Sequence, residues 1–377
     1  MTIGIAVGAP WRGRRVDTVG LRRALIPSVV SEAVIWSVVP HVSYELLLPL
    51  VFVGGLLTLP IFSVIRQSLG VLADGAQRRT AYALDSITTE VVFMIGPAAG
   101  AVVATSGFTV LGLTVVGLST SLAGLFLMWF NPPTRSNTQT EEGDADQRHA
   151  AEVAVVSVAP AHVQEAAAEL VPAGTEPAPR GRAGLRGKVA RDFAWFTAAV
   201  AAVFSVAAGT GMVLSGTDVG IVAALETGGH QSEIGIVFLL WCAASVIGGL
   251  VYGAMHRPVP PVILLLGMAA LTIPMGFAHD TWTLAFVSIL PGLMCAPVLS
   301  AAAEKVADLV VEDRRGEAMG WYGSALTAGV ALGAPLAGIF IDGTGPSGGF
   351  VAVGLAGVLL CLVGLLLQAL RRRRVGA

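Results

Sequence analysis

Charge is what this sequence has least of. Only 13% of its 377 residues are Asp, Glu, Lys or Arg, about half the roughly 25% usual in soluble domains. With 54% hydrophobic residues and a mean hydropathy of +0.76, that deficit excludes soluble multidomain and disordered architectures and leaves a membrane protein. A net charge of -2 gives no long-range attraction to a polyanion, so no nucleic-acid partner is expected. Cysteine is scarce too. Cys242, Cys295 and Cys361 each sit in an apolar run with no Cys-x-x-Cys spacing, which excludes a disulfide framework and favours thiols acting as small hydrophobes. No Gly-x-x-x-x-Gly-Lys-(Ser/Thr) loop is present, since Gly187-Lys188 lacks the earlier glycine and the hydroxyl residue, and His-Glu-x-x-His is absent. ATP-driven transport and metalloprotease chemistry are therefore disfavoured, channel activity lacks a repeated filter-like loop, and neither an enzyme activity, a metal nor a cofactor is expected.

What is present is apolar sequence in long runs. A membrane helix needs about 20 mostly apolar residues to cross about 30 Å of hydrocarbon. That window places ten spans, near 24–44, 46–65, 83–105, 108–130, 193–217, 234–255, 259–278, 281–303, 318–341 and 347–370. Eight hold no charged residue; the first holds Glu32 and the third Asp85 and Glu90. Gly209, Gly211 and Gly216 are expected to loosen the fifth span, with Asp218 at or inside its outer end.

When the segments between spans alternate inside and outside, all 23 Lys and Arg residues fall on one side. Seven lie in the long central segment, where the rule is weak, and the other sixteen still agree. That side is read as cytoplasmic, with both termini inside. No secretory signal peptide is read before the first span. Residues 131–190, rich in Ala, Glu, Pro and Gly, read as a flexible cytoplasmic linker or as a regulatory, partner-binding segment. The organisation is then an N-terminal helical half over 1–130, the linker, and a six-helix C-terminal half over 191–377.

The halves share a pattern at an offset of 236 to 238 residues. Arg78-Arg79 leads into Ala81, Ser86 and Gly96-Pro97-Ala98-Ala99-Gly100; Arg314-Arg315 leads into Ala318, Ser324 and Gly333-Ala334-Pro335-Leu336-Ala337-Gly338. Parallel repeats with Gly/Pro-interrupted helices in matching positions are a transporter architecture, although Gly and Pro are also simply frequent in membrane helices. Aligning the repeat leaves the first half two helices short at its front, and residues 1–9 read as the cytoplasmic end of the second of them.

Residues 13–23, Gly-Arg-Arg-Val-Asp-Thr-Val-Gly-Leu-Arg-Arg, resemble the signature loop between the second and third helices of the major facilitator superfamily, Gly-x-x-x-Asp-(Arg/Lys)-x-Gly-(Arg/Lys)-(Arg/Lys). Gly13, Asp17, Gly20 and Arg22 match and Arg23 adds a cation, while Thr18 and Leu21 replace residues that are usually basic. The glycines allow a tight turn, and the carboxylate can accept hydrogen bonds from a neighbouring helix N-terminus and the arginines. The resemblance extends from Gly8 to Leu370 without the linker and makes the ten spans helices three to twelve of twelve. It implies an all-α membrane bundle of two pseudo-symmetric halves working by alternating access. Gly96, Pro97 and Gly100 resemble the helix-five motif of proton-coupled exporters, with Val92 and Ala101 where glycines are usual. Gly248 to Gly253 is similar to a small-residue stretch in bacterial efflux-like members, and also fits simple close helix packing. An Arg:Lys ratio of 21 to 2 points to a GC-rich bacterium and so to its plasma membrane.

An ionisable group within a span costs about 2.5–3.5 kcal/mol on insertion scales, so a retained one is a candidate functional group. Glu32, Glu90 and Asp218 are the candidates for a proton or substrate pathway. Glu32 reads equally as a neutral acid bonded to a neighbouring helix, and Asp218 as a solvated loop carboxylate. Asp85 reads as interfacial, a helix-start carboxylate or a partner for Arg78 and Arg79. With no cation inside the apolar cores, an apolar or cationic substrate fits better than an anion. The expected function is proton-coupled efflux of a small molecule by a monomer in the lipid bilayer. The alternative is a non-transporting membrane protein, a truncated remnant or a binding and sensing scaffold.

Overall fold

In the computed structural model the described residues, 1–105, 108–134 and 195–375, are helices and connecting turns without strands. Six helices precede the central segment: α1 (Thr2–Val19), α2 (Leu21–Val38), α3 (Tyr44–Leu57), α4 (Ile61–Leu72), α5 (Gly75–Thr105) and α6 (Thr109–Phe130). Six follow it: α7 (Ala198–Thr227), α8 (Ile234–Ala254), α9 (Pro261–Thr272), α10 (Thr281–Leu309), α11 (Arg315–Thr344) and α12 (Pro346–Val375). Among the described residues eight helical stretches are long and apolar enough to cross a membrane: 21–41, 44–72, 110–130, 198–227, 231–254, 281–309, 312–344 and 346–366; the apolar stretch Pro261–Phe277 is shorter. Residues 1–134 and 197–375 belong to one compact unit. The linker expected over 131–190 lies, from residue 135 on, outside the described residues.

These helices are apolar nearly all round, so what positions them is close packing between neighbours rather than an amphipathic stripe. In the second half Val206, Val213, Leu265, Met268 and Phe350 form part of one buried core; in the first, Val16, Leu25, Val29 and Val64 form another. Large apolar side chains such as Leu118, Phe126, Leu332 and Leu359 are exposed, as a surface facing hydrocarbon requires. Asp280 caps α10, accepting from the Thr283 N–H at 2.9 Å and the Thr283 hydroxyl at 2.6 Å. The Thr283 hydroxyl, then its N–H, hold the Asp280 carboxyl below its ordinary value.

Three expectations change here, and one of two alternatives is decided. Residues 13–19 are the last turns of α1, and the connection to α2 is the single residue Gly20, at φ 82°. The glycines of the fifth span do not loosen it. α7 is unbroken over thirty residues, and a Cβ on Gly211 would meet the Leu326 carbonyl of α11, so these glycines permit close helix contact. Asp218 lies within α7 rather than in a loop. The Gly/Pro segments at 96–100 and 333–338 run as continuous helix in α5 and α11, because a single proline removes one backbone bond and tertiary packing carries the helix past it. The discontinuity is elsewhere, at Thr58–Pro60 between α3 and α4.

Candidate functional site

The two halves meet most closely at the end of the bundle that carries Arg14, Arg78 and Arg314. There Asp17, at the end of α1, is buried and accepts from the backbone N–H groups of Gly316 at 3.2 Å and Glu317 at 2.8 Å, in the first turn of α11. The Gln67 amide of α4 donates to the same carboxylate at 2.8 Å. A carboxylate on free N–H groups at a helix N-terminus meets both unsatisfied donors and the positive end of the helix dipole. The geometry needs glycine on both sides: a Cβ on Gly316 would meet the Asp17 carboxylate, and one on Gly13 the Gly316 backbone. Arg22 is not part of this contact. It donates to the Met128 carbonyl at 2.9 Å, tying α2 to the end of α6, while Arg23 is exposed.

Further bonds join the halves above this level. Arg78 pairs with Asp308 at 3.2 Å, and Arg79 with Glu304 at 3.5 Å, which also accepts from the Tyr252 hydroxyl at 3.1 Å. Thr80 donates to the Gly253 carbonyl at 2.9 Å, and Ser300 lies 2.9 Å from Ser86. Asp85 is partnered by Arg66 at 2.8 Å rather than by Arg78 or Arg79. Arg66 is buried inside α4 and also lies over the Tyr322 ring, a membrane-embedded cation that the apolar-window reading left at a loop edge.

Glu90 is the deepest of these contacts, fifteen residues into α5 and thus about 22 Å from its start. Cys295 of α10 donates to it across the halves, with sulfur and oxygen 2.9 Å apart. Asp218 of α7 is solvent-accessible, yet within Coulombic reach of Glu90 and of Cys242 and Cys295. Glu90 and Asp218, one from each half, lie in one electrostatic neighbourhood.

Glu32 is not brought to it. One Glu32 oxygen accepts from the Leu59 N–H at 3.3 Å and the other from the Trp36 indole at 2.6 Å. It sits at the break between α3 and α4, where Arg12 of α1 donates to the carbonyl of Gly55 at 2.9 Å and to that of Leu56. Thr58 and Ser31 take the carbonyls of Gly54 at 2.9 Å and Leu57 at 3.4 Å. All four terminal carbonyls of α3 thus have donors. Sequence reasoning missed Arg12 in this role; its signal was an arginine only three residues beyond an apolar stretch. Gly96 and Gly338 have open space where a Cβ would stand, Gly333 packs on Met212, and the surroundings of Pro97 and Gly100 lie outside the described residues. No cluster of metal-ligating residues occurs among the described residues.

Two solved structures share this fold. The human organic anion transporter MFSD10 (TETRAN) superposes with a TM-score of 0.66 at 15% identity, over 96% of this chain and 81% of that one. The proton:xylose symporter XylE, bound to 6-bromo-6-deoxy-D-glucose, gives 0.63 at 15% identity, over 96% and 83%. No functionally curated sequence matches the chain. The sequence profile of the Major Facilitator Superfamily matches residues 1–257 and 201–376, which together span nearly all of it, and the chain belongs to that superfamily.

Proposed function

We propose that this protein is a proton-coupled secondary transporter that moves an apolar or cationic small molecule out of a bacterial cell by alternating access of one central site. Secondary transport by a multi-pass membrane protein follows from the superfamily; cargo, coupling ion and direction are argued from the site. The observation that carries the reading is Glu90, an acid buried in the interior of α5 and bonded at 2.9 Å to Cys295 of the other half, with the Asp218 carboxylate in its electrostatic neighbourhood. Two carboxylates with a local charge of up to -2 attract a cation, and a carboxyl group in an apolar surround holds or releases a proton as its access to water changes. Arg66, a buried cation of α4, is committed to Asp85 at 2.8 Å. The neighbours' cargoes, an organic anion and a sugar by their names, give no consistent alternative.

The all-on-one-side distribution of Lys and Arg supports placing the basic end, and with it both termini, in the cytoplasm of a plasma membrane. Closure at that end then corresponds to the outward-facing state, in which a proton reaches Glu90 from outside. Its entry exchanges for the cargo released there, with the two halves of a single monomer rocking about the site.

The test is flux in proteoliposomes under an imposed pH gradient, with tetraphenylphosphonium as the probe cation. The wild type is expected to move the probe only when the gradient is present, and Glu90→Gln to fall to the leak of empty vesicles while inserting normally. Unchanged flux in Glu90→Gln removes Glu90 from the mechanism. No wild-type flux of this probe or of an uncharged apolar one favours the non-transporting scaffold.

A further inference from the structure

The Glu90–Cys295 bond crosses between the halves in the interior. Cys295 is 0% exposed and Glu90 8%, and their sulfur–oxygen distance is 2.9 Å. An ionised carboxylate only accepts, so the thiol is the donor. Cys295 is held from behind by Ser245 of α8, whose hydroxyl in turn accepts from the Ala296 N–H at 3.1 Å. The groups that face Glu90 are Cys295 on α10, Cys242 on α8 and Asp218 on α7. On its own helix Asp85 is paired with Arg66 of α4. None of the facing groups is a cation, so the thiol is the one described side chain that donates to Glu90.

We propose that Cys295 is a positioning residue that couples the proton on Glu90 to the contact between the two halves. This rests on Glu90 being the proton carrier and says how the carrier acts on the fold. While Glu90 is charged, the S–H of α10 donates to it and helps hold α5 against α10. When a proton lands on a Glu90 oxygen, the carboxyl group becomes a donor that faces a sulfur of poor acceptor strength. The cross-half bond then weakens, and separation of the halves at the basic end is favoured. By linkage the effect is reciprocal: whatever separates α5 from α10 makes Glu90 easier to protonate by the same factor. A hydrogen bond of this kind is short-ranged, so it responds to the rocking motion itself.

The experiment compares wild type, Cys295→Ala, Cys295→Ser and Glu90→Gln in proteoliposomes. Tetraphenylphosphonium flux is measured against pH, and the protonated-carboxyl band that is absent in Glu90→Gln is titrated by difference infrared spectroscopy. Loss of the donor is expected to move both midpoints upward by about one pH unit in Cys295→Ala, with Cys295→Ser, which still donates, at the wild-type midpoints. Wild-type midpoints in Cys295→Ala, with the band absent from Glu90→Gln, overturn the role of Cys295 and leave the carrier intact. Full pH-dependent flux in Glu90→Gln overturns both. Cys295→Val, donorless but larger, supplies the same comparison if Cys295→Ala does not fold.

Discussion

Asp17 shows how much a single side chain can do at an interface between rigid bodies. Its two oxygens hold the second and third N–H groups of α11 at 3.2 and 2.8 Å, and the charge faces the positive end of a thirty-residue helix. Asp17→Asn keeps one acceptor but turns an amide N–H toward the other donor and removes the charge. The expected cost to the closed arrangement is about 1–3 kcal/mol, a population shift of roughly 5- to 150-fold. Spin labels at Ala73 and Lys305, on the basic ends of the two halves, should report a longer distance in the variant; an unchanged distribution would show that the contact does not hold the halves together. The acidic residue, the glycines and their spacing are legible in the sequence. The recipient is not, because α11 begins almost three hundred residues later and only the fold brings it alongside.

At the scale of the element, the break between α3 and α4 is the feature of the first half that composition hides. A helix interrupted within hydrocarbon exposes carbonyls at one cut end and N–H groups at the other, and lipid offers them no partner. Here the cation Arg12 meets the negative end of α3, and the carboxylate Glu32 accepts from the Leu59 N–H in the connection just before α4. Glu32→Ala is expected to destabilise the protein by about 1–3 kcal/mol by leaving the Leu59 and Trp36 N–H groups unpaired, read as a lower midpoint in thermal unfolding in detergent. Glu32→Gln keeps a carbonyl for Leu59 and should retain proton-driven flux. Loss of flux in Glu32→Gln, equal to that in Glu90→Gln, would return Glu32 to the proton pathway. An apolar window sees 46–65 as one span, since a break whose groups are all paired by other helices leaves no mark on hydropathy.

Across the whole molecule, every bond between halves described above lies within about 22 Å of the basic end, and those bonds differ in weight. Arg78 and Asp308 are partly solvated, with Asp308 45% exposed, and such pairs contribute about 0–1 kcal/mol. Arg79 and Glu304 are buried, with side chains 7% and 11% exposed. Removing one partner of a buried pair leaves an uncompensated charge and costs about 3–5 kcal/mol. Arg79→Ala should therefore lower thermal stability and open the basic end, while Arg78→Ala changes both little; equal effects of the two would mean that burial does not rank these contacts.

The sequence by itself determined that the chain is an all-helical membrane protein and which end of the bundle is basic. Both are properties of composition and of where charges cannot go, and they do not depend on which helix packs on which. It also marked Glu90 and Asp218 as worth keeping, because an intramembrane carboxylate is costly wherever it sits. What only the tertiary structure decided is company: Glu90 with Cys295 and Asp218, Asp17 with the start of α11, Arg66 with Asp85, Arg12 and Glu32 with a cut helix. Apart from the electrostatic approach of Glu90 and Asp218, each of these pairings is a short-range bond between different helices. Hydropathy carries no register between one helix and another, so such bonds exist only once packing has fixed it.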